Sequence, residues 1–230
     1  MSNAAAFLSR MLQFGDSMFP VGAFSFSCGL ESAIQKGVVT DVATLRAFAR
    51  TAAEQAARGD CIALVAAHYA AAAGDIESLV WIDAQVYARK LSEEARSMSV
   101  RMGKKLTEMG MEVLRAPLLG RWRDCIESSV TPGCYSTALA IGFAVQHLSA
   151  REAFVVYRYG VATTILGAAL RLMKISHIET QKILYGLTED AEDTYAAAAT
   201  AEITDMAGFA PMTDILAAIH TRAHVRLFMN

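Results

Sequence analysis

Only four prolines interrupt the 230 residues, and this scarcity constrains the fold more than any other feature of the sequence. Proline breaks helices, and the long intervals between the prolines are rich in alanine, leucine and methionine, which are strong helix formers. Apolar residues recur there at three-and-four spacing, and no segment alternates like a half-buried strand. The sequence therefore predicts an all-α fold of roughly ten helices. Because no linker rich in proline, glycine or serine divides it, we expect a single domain over residues 1–230.

Helix starts are predicted by local capping signals. Ser149 with Glu152, and Ser176 with Glu179, both fit the S-x-x-E capping box, and Asp41 precedes an apolar stripe as an N-cap residue does. The breaks between helices are expected where glycine and proline gather, at residues 16–22, 110–120 and 128–133.

The segment 153–173 is apolar nearly all round, which predicts a helix enclosed by others at the centre of the bundle. A membrane span needs about 20 consecutive apolar residues. The longest run here, residues 159–170, is bracketed by Arg158 and Arg171, so a core helix is favoured and no membrane association is expected.

Charge and cysteine content exclude several classes of function. The 21 basic and 23 acidic residues nearly balance, so there is no electrostatic footprint for nucleic-acid binding. The four cysteines are scattered without a C-x-x-C pair, which indicates free thiols in a reducing compartment. The start of the chain lacks the basic region of a signal peptide, and we expect a cytoplasmic protein.

Motifs for catalysis are missing from the sequence. No phosphate-binding loop and no G-x-S-x-G nucleophile elbow occur, so neither nucleotide binding nor acyl transfer is expected. His220 and His224 lie four residues apart and, with Asp214, could bind a metal on one helix face, although an exposed or capping role is favoured. Two alternatives therefore stay open at this point: an all-α metal-dependent hydrolase and a generic helical interaction module.

The stretch from residue 16 to residue 31 matches the pattern D-S-x-x-P-x-G-x-F-x-x-S-x-G-L-E, with its defining residues at Asp16, Pro20, Gly22, Phe24, Ser27, Gly29, Leu30 and Glu31. This pattern resembles the N-terminal signature of the F-type urease accessory proteins. Further blocks follow in that family's order at residues 96–103, at 169–172 with Gln181, and at His220 with the ending 226–228. The resemblance spans nearly the whole chain.

The resemblance implies a non-catalytic helper in the maturation of urease, an enzyme whose active site holds two nickel ions. Proteins of this family are all-helical, form dimers, and bind both an accessory protein of the D or H type and a GTPase of the G type. The assembly docks on apo-urease, where GTP hydrolysis is coupled to nickel delivery. We predict no cofactor and no metal site for this chain.

Seven residues are implied to bind partners: Glu31, Arg171, Gln181, His220, Arg226, Leu227 and Phe228. Residues 226–230, here called the tail, resemble a family segment that becomes ordered on binding the D/H-type partner, and we expect its removal to cost the monomer little core burial. Purely structural roles stay open for the signature as a helix junction, for Arg171 as a helix C-terminal cation, for Gln181 as a surface amide and for the tail as a frayed end.

The signature also has a physical interpretation. Pro20 and Gly22 suit a tight turn between two helices, Gly29 allows close backbone approach, and Leu30 packs while Glu31 faces a partner. One departure from the family affects the fold, because Lys174 stands where proline is common and would allow the preceding helix to continue past Leu172.

Overall fold

A computed structural model describes residues 4–16, 18–208, 210–212, 215–216 and 227–228. Within these residues there is no β-strand, and the all-α prediction is confirmed. Eleven α-helices have bounds in the described part of the chain: α1 Ala4–Gly15, α2 Leu30–Gln35, α3 Val42–Arg58, α4 Asp60–Ala73, α5 Ile76–Arg89, α6 Glu93–Leu114, α7 Pro117–Glu127, α8 Tyr135–Ala144, α9 Ala150–Leu172, α10 His177–Gly186 and α11 Ala191–Thr200. Short 3-10 turns lie at Ala23–Ser25 and Ile203–Asp205.

The capping signals open the helices as predicted. Ser149 and Ser176 each accept a hydrogen bond from the backbone N–H of the glutamate three residues later, and each glutamate accepts one in return. Asp41 caps α3 in the same manner, with Thr44 as its partner. These boxes satisfy backbone donors that a helix start leaves without partners.

Helix α9 lies at the centre, packed against α1, α2, α3, α4, α8, α10 and α11. Its first half belongs to a core cluster that includes Phe143, Phe154 and Trp122, and its second half belongs to another that includes Leu30 and Ile165. The position predicted for the apolar segment 153–173 is therefore confirmed. α9 is long and apolar enough to cross a membrane by length and composition alone, and just over half of its most apolar window is buried inside the protein.

Helix α9 ends at Leu172, so the expectation that Lys174 would let it continue is wrong. Met173 adopts an extended conformation (φ −141°, ψ 162°), and its N–H still donates to the carbonyl of Ala169. The Ser176 capping box begins the next helix three residues later, and this local signal limits how far α9 can extend.

One buried carboxylate organises the start of α8. Asp83 on α5 is fully buried and accepts hydrogen bonds from the Thr131 hydroxyl at 2.6 Å and from the backbone N–H groups of Gly133 and Cys134, both at 2.8 Å. A buried charge is tolerated when its lone pairs are satisfied in this way. The loop before α8 is thereby held against α5.

Candidate functional site

The described residues between α1 and α2, 16 and 18–29, form an irregular connection, and the signature continues into the first turn of α2. The N–H of Phe19 donates to the carbonyl of Asp16, and a 3-10 turn follows at Ala23–Ser25. Gly22 (φ +83°) and Gly29 (φ +79°) both occupy the left-handed region, which glycine enters without steric cost. The predicted tight turn at Pro20 and Gly22 is thus present, and Gly29 leads directly into α2.

Glu31, in the first turn of α2, binds the backbone of a distant segment. Its two carboxylate oxygens accept hydrogen bonds from the N–H groups of Leu227 at 2.8 Å and Phe228 at 3.3 Å. The side chain is buried, with 4% of its surface exposed, and Leu30 beside it is buried in the second core cluster. Hydrogen bonds to an ionised carboxylate are stronger than neutral ones, so this contact fixes the path of the segment.

Arg171, in the last turn of α9, contacts the same segment. Its Cζ lies 4.2 Å from the centroid of the Phe228 ring, which is a cation–π contact. Its Nη2 donates to the carbonyl of Phe24 at 2.9 Å, and its Nε donates to the carbonyl of Gly167. The second bond is the helix-terminal role considered for this residue, whereas the first joins α9 to the signature turn.

We use the name tail-binding site for Leu227 and Phe228 of the tail together with Phe24, Glu31 and Arg171. Phe228 is only 4% exposed and belongs to the second core cluster, whereas Leu227 is 65% exposed. The expectation that removing the tail costs little core burial is therefore wrong for Phe228, because this side chain packs against its own chain. Leu227 and Phe24, which is 70% exposed, present apolar surface beside it.

Of the other residues expected to bind partners, the structure describes only Gln181, and it is not part of this site. Gln181 lies on an exposed position of α10, and no described residue hydrogen-bonds its side chain. Arg226, His220 and the alternative metal ligands His224 and Asp214 lie outside the described residues. Among the residues that the structure does describe, no group of three or more His, Cys, Asp and Glu side chains could hold a metal ion.

Cys28 precedes Gly29 in the signature and is held as a thiol. Its Sγ lies 3.9 Å from the Sδ of Met98. Burial, reinforced by the negative charge of Glu94, raises the pKa of Cys28 to about 12. The thiolate is the form that attacks electrophiles and binds metals, so burial disfavours the reactive form of this cysteine.

A second polar cluster lies at a cavity of about 190 Å³ lined by residues of α3, α4, α5, α6 and α9. The Nζ of Lys90 pairs with the carboxylate of Asp60 at 2.7 Å, and the hydroxyl of Tyr157 donates to the same carboxylate. Burial disfavours the charged form of Lys90, but the attraction of Asp60 outweighs it and raises the pKa of Lys90. Burial and the Asp60 charge raise the pKa of Tyr157, so the phenol is neutral and Lys90 is charged near pH 7.

This cluster predicts a loss of stability at alkaline pH. A folded-state pKa raised above the unfolded value contributes stability that is present below the unfolded pKa and lost as pH rises through the folded one. For Tyr157 the ordinary value is 10.0. We expect the melting temperature to fall above about pH 10, and Tyr157→Phe to make that fall shallower. Thermal melts between pH 7 and 11 measure both, with the exposed Tyr185→Phe as the control. An identical pH profile for wild type and Tyr157→Phe would contradict this assignment.

The sequence interpretation did not single out Asp83 or Lys90, and it considered Asp60 only as a residue at a helix junction. One signal was available, because Asp83 follows Leu79 and Ile82 and precedes Val86 at helical spacing, which places a carboxylate on the buried face of α5. No comparable signal pairs Lys90 with Asp60, which lies 30 residues earlier in the chain.

The fold and the site together define an all-α protein in which a carboxylate and a guanidinium hold a distant segment of the same chain. Residues 39–188 match the UreF family. The chain is 52% identical to urease accessory protein UreF 1 of Brucella melitensis, over 97% of this chain and 92% of the relative. It is 48% identical to urease accessory protein UreF of Yersinia pseudotuberculosis, over 98% of this chain and 99% of that protein. The chain belongs to the UreF family of urease accessory proteins, which confirms the family resemblance and a role in urease maturation.

Proposed function

We propose that this protein is a non-catalytic scaffold, acting in the cytoplasm as a single-domain homodimer. It joins a D/H-type accessory protein and a G-type GTPase to apo-urease and regulates GTP-dependent nickel insertion. Since the sequence has no phosphate-binding loop, the nucleotide chemistry belongs to the GTPase.

The tail-binding site is the observation that supports this proposal. It brings together the signature turn, the end of α9 and residues 227–228, which are far apart in the sequence. Glu31 and Arg171 are bonded to groups of their own chain, while Phe24 and Leu227 remain exposed. Neighbouring exposed apolar side chains on a backbone held in place by such contacts are typical of a protein-binding surface. We propose this surface as the docking site for the D/H-type partner, with Gln181, His220 and Arg226 as further contacts.

Arg171→Ala tests the proposal. The substitution removes the contacts to Phe24 and Phe228, so we expect capture of the D/H-type partner to weaken roughly tenfold, equivalent to about 1.4 kcal/mol. Urease activation in cells should fall with it. Arg171→Lys keeps the charge but loses the planar guanidinium and its several N–H donors. We expect this variant to retain only part of the partner capture and urease activation.

The control is Lys174→Ala, which removes an exposed cation three residues further along. Pull-downs, urease activation and thermal melts are measured for each variant. If Arg171→Ala captured the partner and activated urease like wild type, its role would reduce to closing the end of α9.

A further inference from the structure

A groove of about 470 Å³ lies between the signature turn and α6, on the side of Phe26. Its apolar surface comes from Pro20, Val21 and Phe26, and its charge comes from Arg101, Lys104 and Lys105 of α6. We call it the basic groove. None of its charges takes part in the tail-binding site.

Two cations of the groove have no acidic partner among the described residues. Lys105 pairs with Glu108 at 2.9 Å, which neutralises that part of the rim. Arg101 stacks over the buried Phe26 ring, with its Cζ 5.8 Å from the ring centroid. Among the described residues no carboxylate forms an ion pair with Arg101 or Lys104, and both side chains are exposed. The stacked guanidinium is thereby pre-oriented for a carboxylate from outside.

We propose that the basic groove binds an acidic segment of a partner protein. Carboxylates of that segment face Arg101 and Lys104, and an apolar side chain of the segment packs against the apolar surface of the groove. The identification of that partner as a urease-maturation protein rests on the proposed scaffold function. The chemistry of the segment rests on the groove alone.

Two other occupants fit the groove less well. A nucleic acid needs a larger basic surface, whereas this chain has a net charge of −2 and places Glu108 at the rim. A second copy would have to offer its own acids, yet in the acidic stretch 189–193 Asp190 pairs with Arg158 and Glu192 with Arg151. A carboxylate-rich segment of a different protein matches both the charge and the apolar wall.

The test uses the full chain and fluorescein-labelled octaglutamate as the probe, followed by fluorescence anisotropy. We expect saturable binding that weakens with added salt, since exposed charges are screened within about 10 Å at 0.1 M. The double substitution Arg101→Glu with Lys104→Glu should weaken binding at least tenfold. Arg46→Glu with Arg50→Glu changes the net charge equally on the exposed side of α3 and should leave binding unchanged. If the charge reversal impairs folding in a thermal melt, the two glutamine substitutions replace it.

Several results would overturn the proposal. These are no binding of octaglutamate beyond that of octaglutamine, equal loss in the α3 control, or tighter binding of an oligothymidylate of the same length. Loss of self-association alone in the groove variant, seen by sedimentation, would assign the groove to a second copy.

Capture of purified partners separates this inference from the scaffold function. If wild type binds octaglutamate but captures neither accessory partner, the scaffold function fails and the acidic-segment chemistry stands. If wild type and the groove variant capture both partners and apo-urease equally well, the assignment of the groove to a partner fails and the scaffold function stands.

Discussion

Gly103→Ala is expected to destabilise the protein by about 3 kcal/mol or more, enough to deplete the folded state. A Cβ on Gly103 would lie 2.1 Å from the carbonyl oxygen of Gly133 and 2.6 Å from the carbonyl carbon of Cys134. These are backbone atoms, so no side chain can rotate away. Both residues are also held by the buried carboxylate of Asp83, which prevents α8 from retreating.

The matched control is Gly120→Ala in the middle of α7. Nothing lies within 4 Å of a Cβ at Gly120, and alanine is favoured over glycine in a helix by up to about 1 kcal/mol. Urea denaturation should therefore show a midpoint above wild type for Gly120→Ala and far below it for Gly103→Ala. A Gly103→Ala midpoint close to wild type would show that α6 and α8 separate easily.

Phe228→Ala and Leu227→Ala are expected to separate stability from partner binding. Phe228 is buried under Arg171, so its truncation should lower the free energy of unfolding by about 3 kcal/mol. Leu227 is mostly exposed, so its truncation should change stability by less than about 0.5 kcal/mol. If Leu227 anchors the D/H-type partner, the same change should weaken capture by about 2 kcal/mol.

Denaturation and pull-down of both variants decide the matter. Leu227→Ala with normal capture would remove Leu227 from the proposed partner surface. Phe228→Ala with an unchanged unfolding midpoint would show that the ring contributes nothing to the second core cluster.

Local chemistry made much of the helical pattern predictable. Each capping box lies within four consecutive residues, so Ser149 and Ser176 identified the starts of α9 and α10 without knowledge of the fold. Contacts between segments far apart in the sequence were harder to predict. The tail was visible as an apolar pair, but nothing in its sequence distinguishes Phe228, which packs inward, from Leu227, which faces out.

The structure of the signature was also only partly predictable from the sequence. Its glycines and proline indicated a turn, because their backbone preferences are intrinsic to the residues. The partner of Glu31 depends on how α2 and the tail meet, and the resemblance supplied only the expectation that Glu31 faces another protein. In the structure Glu31 faces two N–H groups of its own chain.

The hydrogen bonds that Glu31 accepts from the tail also determine when the tail-binding site can form during synthesis of the chain. Leu227 is added to the chain 196 residues after Glu31. At about 5–20 residues per second, the ribosome needs roughly 10 to 40 s to cover that interval. Helices α2 and α9 are complete before the segment that joins them emerges. A nascent chain thus displays Glu31 and Arg171 without Leu227, and the finished surface is restricted to molecules translated past residue 228.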